Sequence, residues 1–151
     1  MENQSGLKFH ETLKNIRLHF DFLFKRGFRI AAVLRVDQNQ DNWQVTLTAN
    51  DRLIEVYSEQ GKVNLALGTL LLNNEVKYFD LEELARFLPR DRGVFQRFED
   101  LPVDEIQQIK RLAPYLEKHS NAIWAQVEKE TFLILNHPLQ RSTNQQKRTI
   151  I

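Results

Sequence analysis

The chain has 151 residues, of which 42% are hydrophobic and 27% charged, so its composition is that of one globular domain, and its net charge of +1 makes it neither a polyanion nor a polycation. The absence of cysteine excludes disulfides, thiolate catalysis and cysteine-based zinc sites. The start of the chain has no apolar signal segment and no apolar run approaches the roughly 20 residues of a membrane span, so we expect a cytoplasmic protein with no membrane contact.

The first predicted element is an amphipathic helix followed by a strand. Apolar residues recur at steps of three and four from Phe9 to Leu23, and Gly27 followed by Phe28 is typical of a left-handed C-cap, so the helix should end at Arg26 or Gly27. In the strand that follows, the alternation of residues predicts which side chains lie on each of its two faces. The first side would carry Phe28, Ile30, Ala32, Leu34 and Val36, and the second Arg29, Ala31, Val33 and Arg35.

Residues 43–72 predict two β-hairpins around which the other elements pack. Apolar and polar residues alternate from Trp43 and again from Val63, with turns predicted at residues 49–51 and 59–62, where Gly61 permits a positive φ. Together with the first strand this gives a four-stranded antiparallel meander that is buried on one face. The residues expected to point outward are Gln44, Thr46, Thr48 and Glu55.

Two helices are predicted after the sheet. Asp80 and Glu83 have the spacing of a capping box at the start of a short helix that Pro89 ends, and a long helix should begin near Pro102 or Val103. Pro114 lies inside the long helix and predicts a kink or a break, although the in-phase apolar spacing favours one bent helix. The order of elements predicts an α+β class, with a single domain at residues 1–140 and a flexible polar tail at 141–151.

The sequence contains no recognisable catalytic or metal-binding pattern. His10 and His19 do not have metal-ligand spacing, no glycine-rich phosphate loop is present, and no serine lies in a nucleophile-elbow context. We therefore predict a protein that is not an enzyme and uses no metal and no cofactor.

The arginine-rich segment 86–97 is the most suggestive surface element. Its arginines alternate with aromatic residues and could bind phosphate, stacked bases or an acidic protein surface. Alternatively, the aromatic residues anchor an irregular loop while nearby acidic residues pair with the arginines. The residues in question are Arg86, Phe87, Arg90, Arg92, Phe95, Arg97 and Phe98.

Four stretches of the chain carry a resemblance to known proteins. They are residues 22–28 (FLFKRGF), the pair Val56-Tyr57, residues 63–68 (VNLALG) and residues 79–84 (FDLEEL). The pattern resembles a group of small bacterial α+β proteins, some of which are similar to immunity proteins of bacterial toxin systems. The likeness covers about half the chain and consists of helix caps and core positions, so it implies a fold and a binding role but no functional residue.

Three functions remain open at this point. The first is a non-catalytic module that binds a protein partner through Gln44, Thr46, Thr48 and Glu55 of the sheet and the loop at residues 90–101. The second is nucleic-acid binding through segment 86–97 and the basic tail, which would make affinity fall steeply with salt. The third is a small-ligand binder with a pocket between the sheet and the helices. A homo-oligomer is compatible with each of them.

Overall fold

The computed structural model describes residues 2–37, 42–88 and 104–136 and arranges them as a sheet with helices before and after it. The helices are α1 (Glu2–His19), α2 (Asp21–Lys25), α3 (Leu81–Ala85) and α4 (Glu105–Leu135). The strands are β1 (Arg29–Asp37), β2 (Asn42–Ala49), β3 (Arg52–Glu59), β4 (Lys62–Leu70) and β5 (Val76–Asp80). The predicted α+β class is confirmed.

The sheet is an antiparallel meander in the order β1-β2-β3-β4-β5, with one strand more than predicted. The prediction of four strands was wrong because β5 is only five residues long and passes directly into α3. Asn74 adopts a φ of 67° in the turn that leads into β5. An asparagine tolerates this left-handed conformation better than most residues.

The hairpin turns lie where the sequence places them. Gln60 and Gly61, the two central residues between β3 and β4, have φ angles of 53° and 81°. Two consecutive positive φ angles are the mark of a type I′ turn, whose twist matches that of the flanking strands. Between β2 and β3, Asn50 has a φ of 56°.

The main core lies between one face of the sheet and the helices. Leu65 and Leu67 of β4 are almost fully buried, as are Ile109 and Leu116 of α4. Gln108, near the start of α4, bonds to Gly61 at the β3–β4 turn, whereas Glu128 bonds to Arg52 at the start of β3. Helix α4 therefore runs antiparallel to β3 along the sheet.

A second apolar cluster lies on the opposite face of the sheet, which we call the open face because none of the helices described packs its core residues there. It contains Tyr57, Ala66, Val76 and Tyr78, with Leu53 packed against it. On the same face Thr46 and Glu55 are also buried, with 9% and 2% of their surfaces exposed. Thr46 and Glu55 therefore lie on the face away from the helices, as the alternation predicts, but neither is exposed, because this face of the sheet is also buried around β3 and β4.

The first helical segment ends as its sequence predicts. The amide of Gly27, with φ 97°, donates to the carbonyl of Phe24 at 3.1 Å, and the amide of Phe28 donates to that of Leu23 at 3.0 Å. These two bonds form a Schellman motif, in which the residue after the glycine folds back on the last turn. The helix is interrupted at Phe20, so α1 and α2 are separate.

The facing of β1 differs from the predicted alternation. Ile30 lies opposite Leu47, but the register shifts before Ala32, which lies opposite Thr46. The extra residue, Ala31, changes the phase of the strand, as a β-bulge does. Val33 therefore shares the helix-facing side with Val45, and Leu34 shares the open face with Gln44.

The two C-terminal helices confirm one prediction and correct another. Helix α4 is continuous through Pro114, as the in-phase apolar spacing favoured. Asp80 occupies the N-cap position of α3, but its side chain makes no capping bond. The predicted capping box was therefore wrong. The tail at residues 141–151 lies outside the described residues.

Candidate functional site

A concavity of about 590 Å³ lies at the end of the sheet formed by the start of β2, the end of β3 and the start of β4. Its lining is mostly polar and uncharged. The described lining residues are Asn42, Trp43, Gln44, Tyr57, Ser58, Glu59, Gln60, Lys62 and Asn64. All of them come from strands or from the β3–β4 turn, so this concavity is not the predicted pocket between the sheet and the helices.

A row of three side chains crosses the concavity on the open face. Gln44 lies opposite Tyr57 in the β2–β3 pair, and Tyr57 lies opposite Asn64 in the β3–β4 pair. Directly opposite residues of an antiparallel pair have their Cβ atoms about 5 Å apart on the same face. The row therefore presents an amide, a phenol and a second amide side by side.

The phenol in this row is held in place by an acidic residue. The hydroxyl of Tyr57 donates to Oδ1 of Asp80 at 3.0 Å. Asp80 ends β5 and precedes α3, so its carboxylate reaches β3 instead of capping the helix. This bond connects strands that are not neighbours in the sheet and fixes the hydroxyl of Tyr57.

The outer rim of the concavity is built by the β3–β4 turn. The backbone amide of Gln60 donates to Oδ1 of Asn42 at 2.9 Å, and this bond joins the turn to the start of β2. Glu59 and Lys62 lie opposite each other at the base of the turn and are both exposed. The rim therefore carries one charge of each sign, whereas the amide side chains that line the concavity are neutral.

The end of the sheet that forms the concavity is supported from its other face by α4. Oε2 of Glu105 accepts from the indole Nε1 of Trp43 at 3.2 Å and from the hydroxyl of Ser58. Gln108 accepts from the amide of Val63 at 2.7 Å and donates to the carbonyl of Gly61 at 2.8 Å. Buried, satisfied polar networks of this kind rigidify the groups they connect.

The residues predicted to form an interaction surface are only partly brought together. Gln44 lines the concavity, and Thr46 and Thr48 follow it on the open face, where Thr46 is buried and Thr48 half-buried. Arg86 is exposed at the C-cap of α3 and does not line the concavity. Arg90, Arg92, Phe95 and Arg97 lie outside the described residues, so their predicted role stays a prediction.

Sequence reasoning missed Tyr57 and Asn64, although their signal was present. Each alternates with core residues, Tyr57 with Val56 and Asn64 with Val63 and Leu65, so the same period that places Gln44 outward places them beside it. Asn42 and Gln60 have no such periodic signal, because a hydrogen bond between the β3–β4 turn and the start of β2 positions them.

The described residues contain neither a cluster of metal ligands nor a membrane-spanning helix. Within residues 2–37, 42–88 and 104–136, no group of three or more His, Cys, Asp or Glu side chains could hold a metal ion. No helix in the same part of the chain is long and apolar enough to cross a membrane.

Comparisons of the chain with family models, with curated proteins and with solved structures found no match. The resemblance to immunity proteins therefore stays a prediction.

Proposed function

We propose that the protein is a non-catalytic binding module whose concavity receives a loop or extended segment of a protein partner. The observation that carries this proposal is the lining of the concavity, in which four amide side chains surround one phenol. The amides are those of Asn42, Gln44, Gln60 and Asn64, and the phenol is that of Tyr57.

The amide lining suits a peptide more than it suits a charged ligand. A side-chain amide offers both a donor and an acceptor, the same pair of groups that each peptide unit of a partner presents. With one positive and one negative charge at the rim, the concavity has no strong preference for ligands of one sign. Neutral hydrogen bonding would therefore dominate recognition.

The scaffold favours binding because its geometry is set in advance. The Tyr57–Asp80 bond fixes the phenol on one face, and the bonds from Glu105 and Gln108 fix the strand ends from the other. A site that is already ordered loses less conformational entropy when a partner binds. The resemblance to immunity proteins further implies that the partner is a toxin, and that part of the proposal rests on sequence alone.

A matched pair of surface variants tests the proposal. Asn64→Arg places a long charged side chain across the concavity, whereas Asn121→Arg makes the same change at an exposed position of α4. Wild type and both variants, each checked for folding by circular dichroism, are immobilised and used to capture proteins from a lysate of the source cells. Captured proteins are identified by mass spectrometry, and their affinities are measured after purification.

We expect at least one protein to bind wild type and Asn121→Arg with similar affinity and to bind Asn64→Arg at least about tenfold more weakly, a difference of about 1.4 kcal/mol. If every captured protein binds all three forms equally, or if none is captured, the concavity is not a protein-binding site.

The volume of the concavity favours a second candidate function, the binding of a small polar molecule. About 590 Å³ lies within the range of roughly 300–1,000 Å³ that small-molecule sites occupy. A thermal-shift screen of sugars, nucleosides and amino acids separates the two functions. A compound that raises the melting temperature of wild type and Asn121→Arg but not of Asn64→Arg would favour the small ligand.

The nucleic-acid alternative remains the predicted role of segment 86–97, of which the structure describes only the first three residues. Its test is independent of the concavity. Changing Arg90, Arg92 and Arg97 to alanine should abolish any salt-dependent binding to nucleic acid.

A further inference from the structure

The open face of the sheet is buried, although the described helices lie on the other face. Tyr57, Val76 and Tyr78 have 7%, 4% and 9% of their surfaces exposed, and Glu55, in the middle of β3, has only 2% exposed. The buried residues that the helices contribute to an apolar cluster all belong to the cluster on the opposite face. Side chains on an uncovered face of an antiparallel sheet are solvated. Burial this complete therefore requires a further segment on the open face.

Glu55 determines which chemistry that segment must have. It lies opposite Thr46 of β2 and Ala66 of β4, and Ala66 in turn lies opposite Asp80, a second carboxylate on the same face. A carboxylate is rarely buried unless a positive charge or hydrogen-bond donors compensate for the lost water. Arginine is best suited to this, because its planar guanidinium is always charged and can bind a carboxylate through two parallel hydrogen bonds.

We propose that residues 89–103 lie across the open face and that one of their arginines pairs with Glu55. This stretch joins α3 to α4 and lies outside the described residues. It contains three arginines and two phenylalanines, which are Arg90, Arg92, Arg97, Phe95 and Phe98. The arginines match the carboxylate of Glu55, and the phenylalanines match the apolar cluster around Tyr57 and Tyr78.

The two ends of the stretch are placed for such a path. Helix α3, which precedes it, packs on β4 and β5, whereas Glu105, which follows it, bonds to Trp43 of β2 and Ser58 of β3. The stretch must therefore pass from the β5 side of the sheet towards β2 and β3. An extended chain of this length can span about 50 Å, and neighbouring strands lie only about 5 Å apart. The stretch is long enough to turn over the end of the sheet and cross the open face.

The other stretches outside the described residues fit the open face less well. Residues 38–41 contain no positive charge. Residues 137–151 contain no Phe, Tyr or Trp, and they follow the end of α4 that Glu128 joins to Arg52, at the opposite end of the sheet from Glu105. An arginine bound to Glu55 is not free to bind phosphate, so the proposal also opposes the nucleic-acid role of segment 86–97.

Disulfide formation between introduced cysteines tests the path, since the chain has no cysteine of its own. Thr46→Cys places a thiol opposite Glu55 on the open face, and Asn121→Cys, at an exposed position of α4, is the control. A disulfide requires Cβ atoms about 4 Å apart. Each of these two anchors is combined in turn with Gly93→Cys, Val94→Cys, Gln96→Cys and Glu99→Cys.

We expect Thr46→Cys to form an intramolecular disulfide with at least one of the four positions, and faster than Asn121→Cys does with any of them. The rates are measured in dilute, oxidising solution by thiol labelling and mass spectrometry, with the folding of each variant checked by circular dichroism. Equal rates for the two anchors, or no disulfide at position 46, overturn the proposal.

A charge exchange tests the ion pair. Glu55→Arg should lower the melting temperature because it places like charges together, whereas Glu117→Arg, at an exposed position of α4, should change it little. Adding Arg90→Glu, Arg92→Glu or Arg97→Glu to Glu55→Arg should raise the melting temperature again for the arginine that pairs, and not for the other two. If none of the three additions raises it, no arginine of the stretch pairs with Glu55.

Discussion

Oε2 of Glu105 accepts a hydrogen bond from the indole Nε1 of Trp43 at 3.2 Å, which joins the first turn of α4 to β2 across 62 positions of sequence. The hydroxyl of Ser58 donates to the same oxygen, so one carboxylate satisfies two donors from neighbouring strands. Only 8% of the surface of Glu105 is exposed, so water cannot easily replace it as the acceptor.

Glu105→Ala should therefore destabilise the protein. Each buried donor left without an acceptor costs about 1–3 kcal/mol, and the free energy of unfolding should fall by an amount of that order. Glu105→Gln retains one acceptor and should lose less. Urea denaturation measures the change, with Glu117→Ala as an exposed control on the same helix. Equal stabilities of Glu105→Ala and Glu117→Ala would contradict a structural role for the carboxylate.

Leu65→Ala should remove a side chain from the centre of the main core. Leu65 has 1% of its surface exposed, and core truncations of this kind cost about 2–5 kcal/mol. Leu72→Ala is the matched control, because Leu72 is fully exposed. Thermal unfolding should show a large fall in melting temperature for Leu65→Ala alone. Similar melting temperatures for the two variants would mean that β4 does not face the helices as described.

Gly27→Val should destabilise through the backbone alone. A Cβ atom at Gly27 would meet no atom within 4 Å, so the variant causes no collision, but the φ of 97° is unfavourable for a β-branched residue. Left-handed backbone costs an ordinary residue about 1–2 kcal/mol. Gly27→Asn should lose less, because asparagine tolerates this region. If valine and asparagine prove equally stable in chemical denaturation, the strain does not come from φ.

The protein should become less stable as the pH is lowered, because His19 must be neutral in the folded state. Burial lowers the pKa of His19 from its ordinary value of 6.5, and the positive charge of Lys110 on α4 lowers it further. The unfolded chain then binds a proton more readily than the folded chain. The stability that the neutral His19 contributes is present above pH 6.5 and is lost as the pH falls through the lower pKa of the folded state.

His19→Gln should flatten this pH dependence. The free energy of unfolding, measured from about pH 8 to about pH 5 across the titration range of histidine, should fall less steeply for the variant than for wild type. His10→Gln, at an exposed position of α1, is the matched control for loss of a histidine from this helix. A wild-type slope in His19→Gln would exclude this histidine as the source.

Most of the fold could be predicted because its signals are local. The Gly27 cap, the Gln60–Gly61 turn and the alternation of β2 to β4 each depend on residues a few positions apart. The facing of β1 could not be predicted in the same way. The sequence Ile30-Ala31-Ala32 contains no signal for a bulge at Ala31, because the bulge arises only from the pairing of β1 with β2.

The candidate site could be predicted only where it follows the period of a strand. Gln44 was identified by its alternation, and Tyr57 obeys the same period. The role of Asp80 depends instead on a partner 23 positions earlier in the sequence. Local spacing suggested a helix cap, but the same carboxylate can accept from a phenol, and only the tertiary structure decides between the two.

The antiparallel run of α4 along β3 also has a consequence for the order of folding. Its bonds to the sheet join Gln108 to Val63, Glu105 to Trp43 and Arg52 to Glu128, across 45, 62 and 76 positions. The hairpins of the meander close loops of only two residues between β2 and β3 and between β3 and β4. Contacts between distant residues require closing long loops and therefore form slowly. We expect the hairpins to form first and the docking of α4 to complete the folding transition. The apolar face of the sheet that α4 covers should therefore stay exposed in any chain that lacks α4.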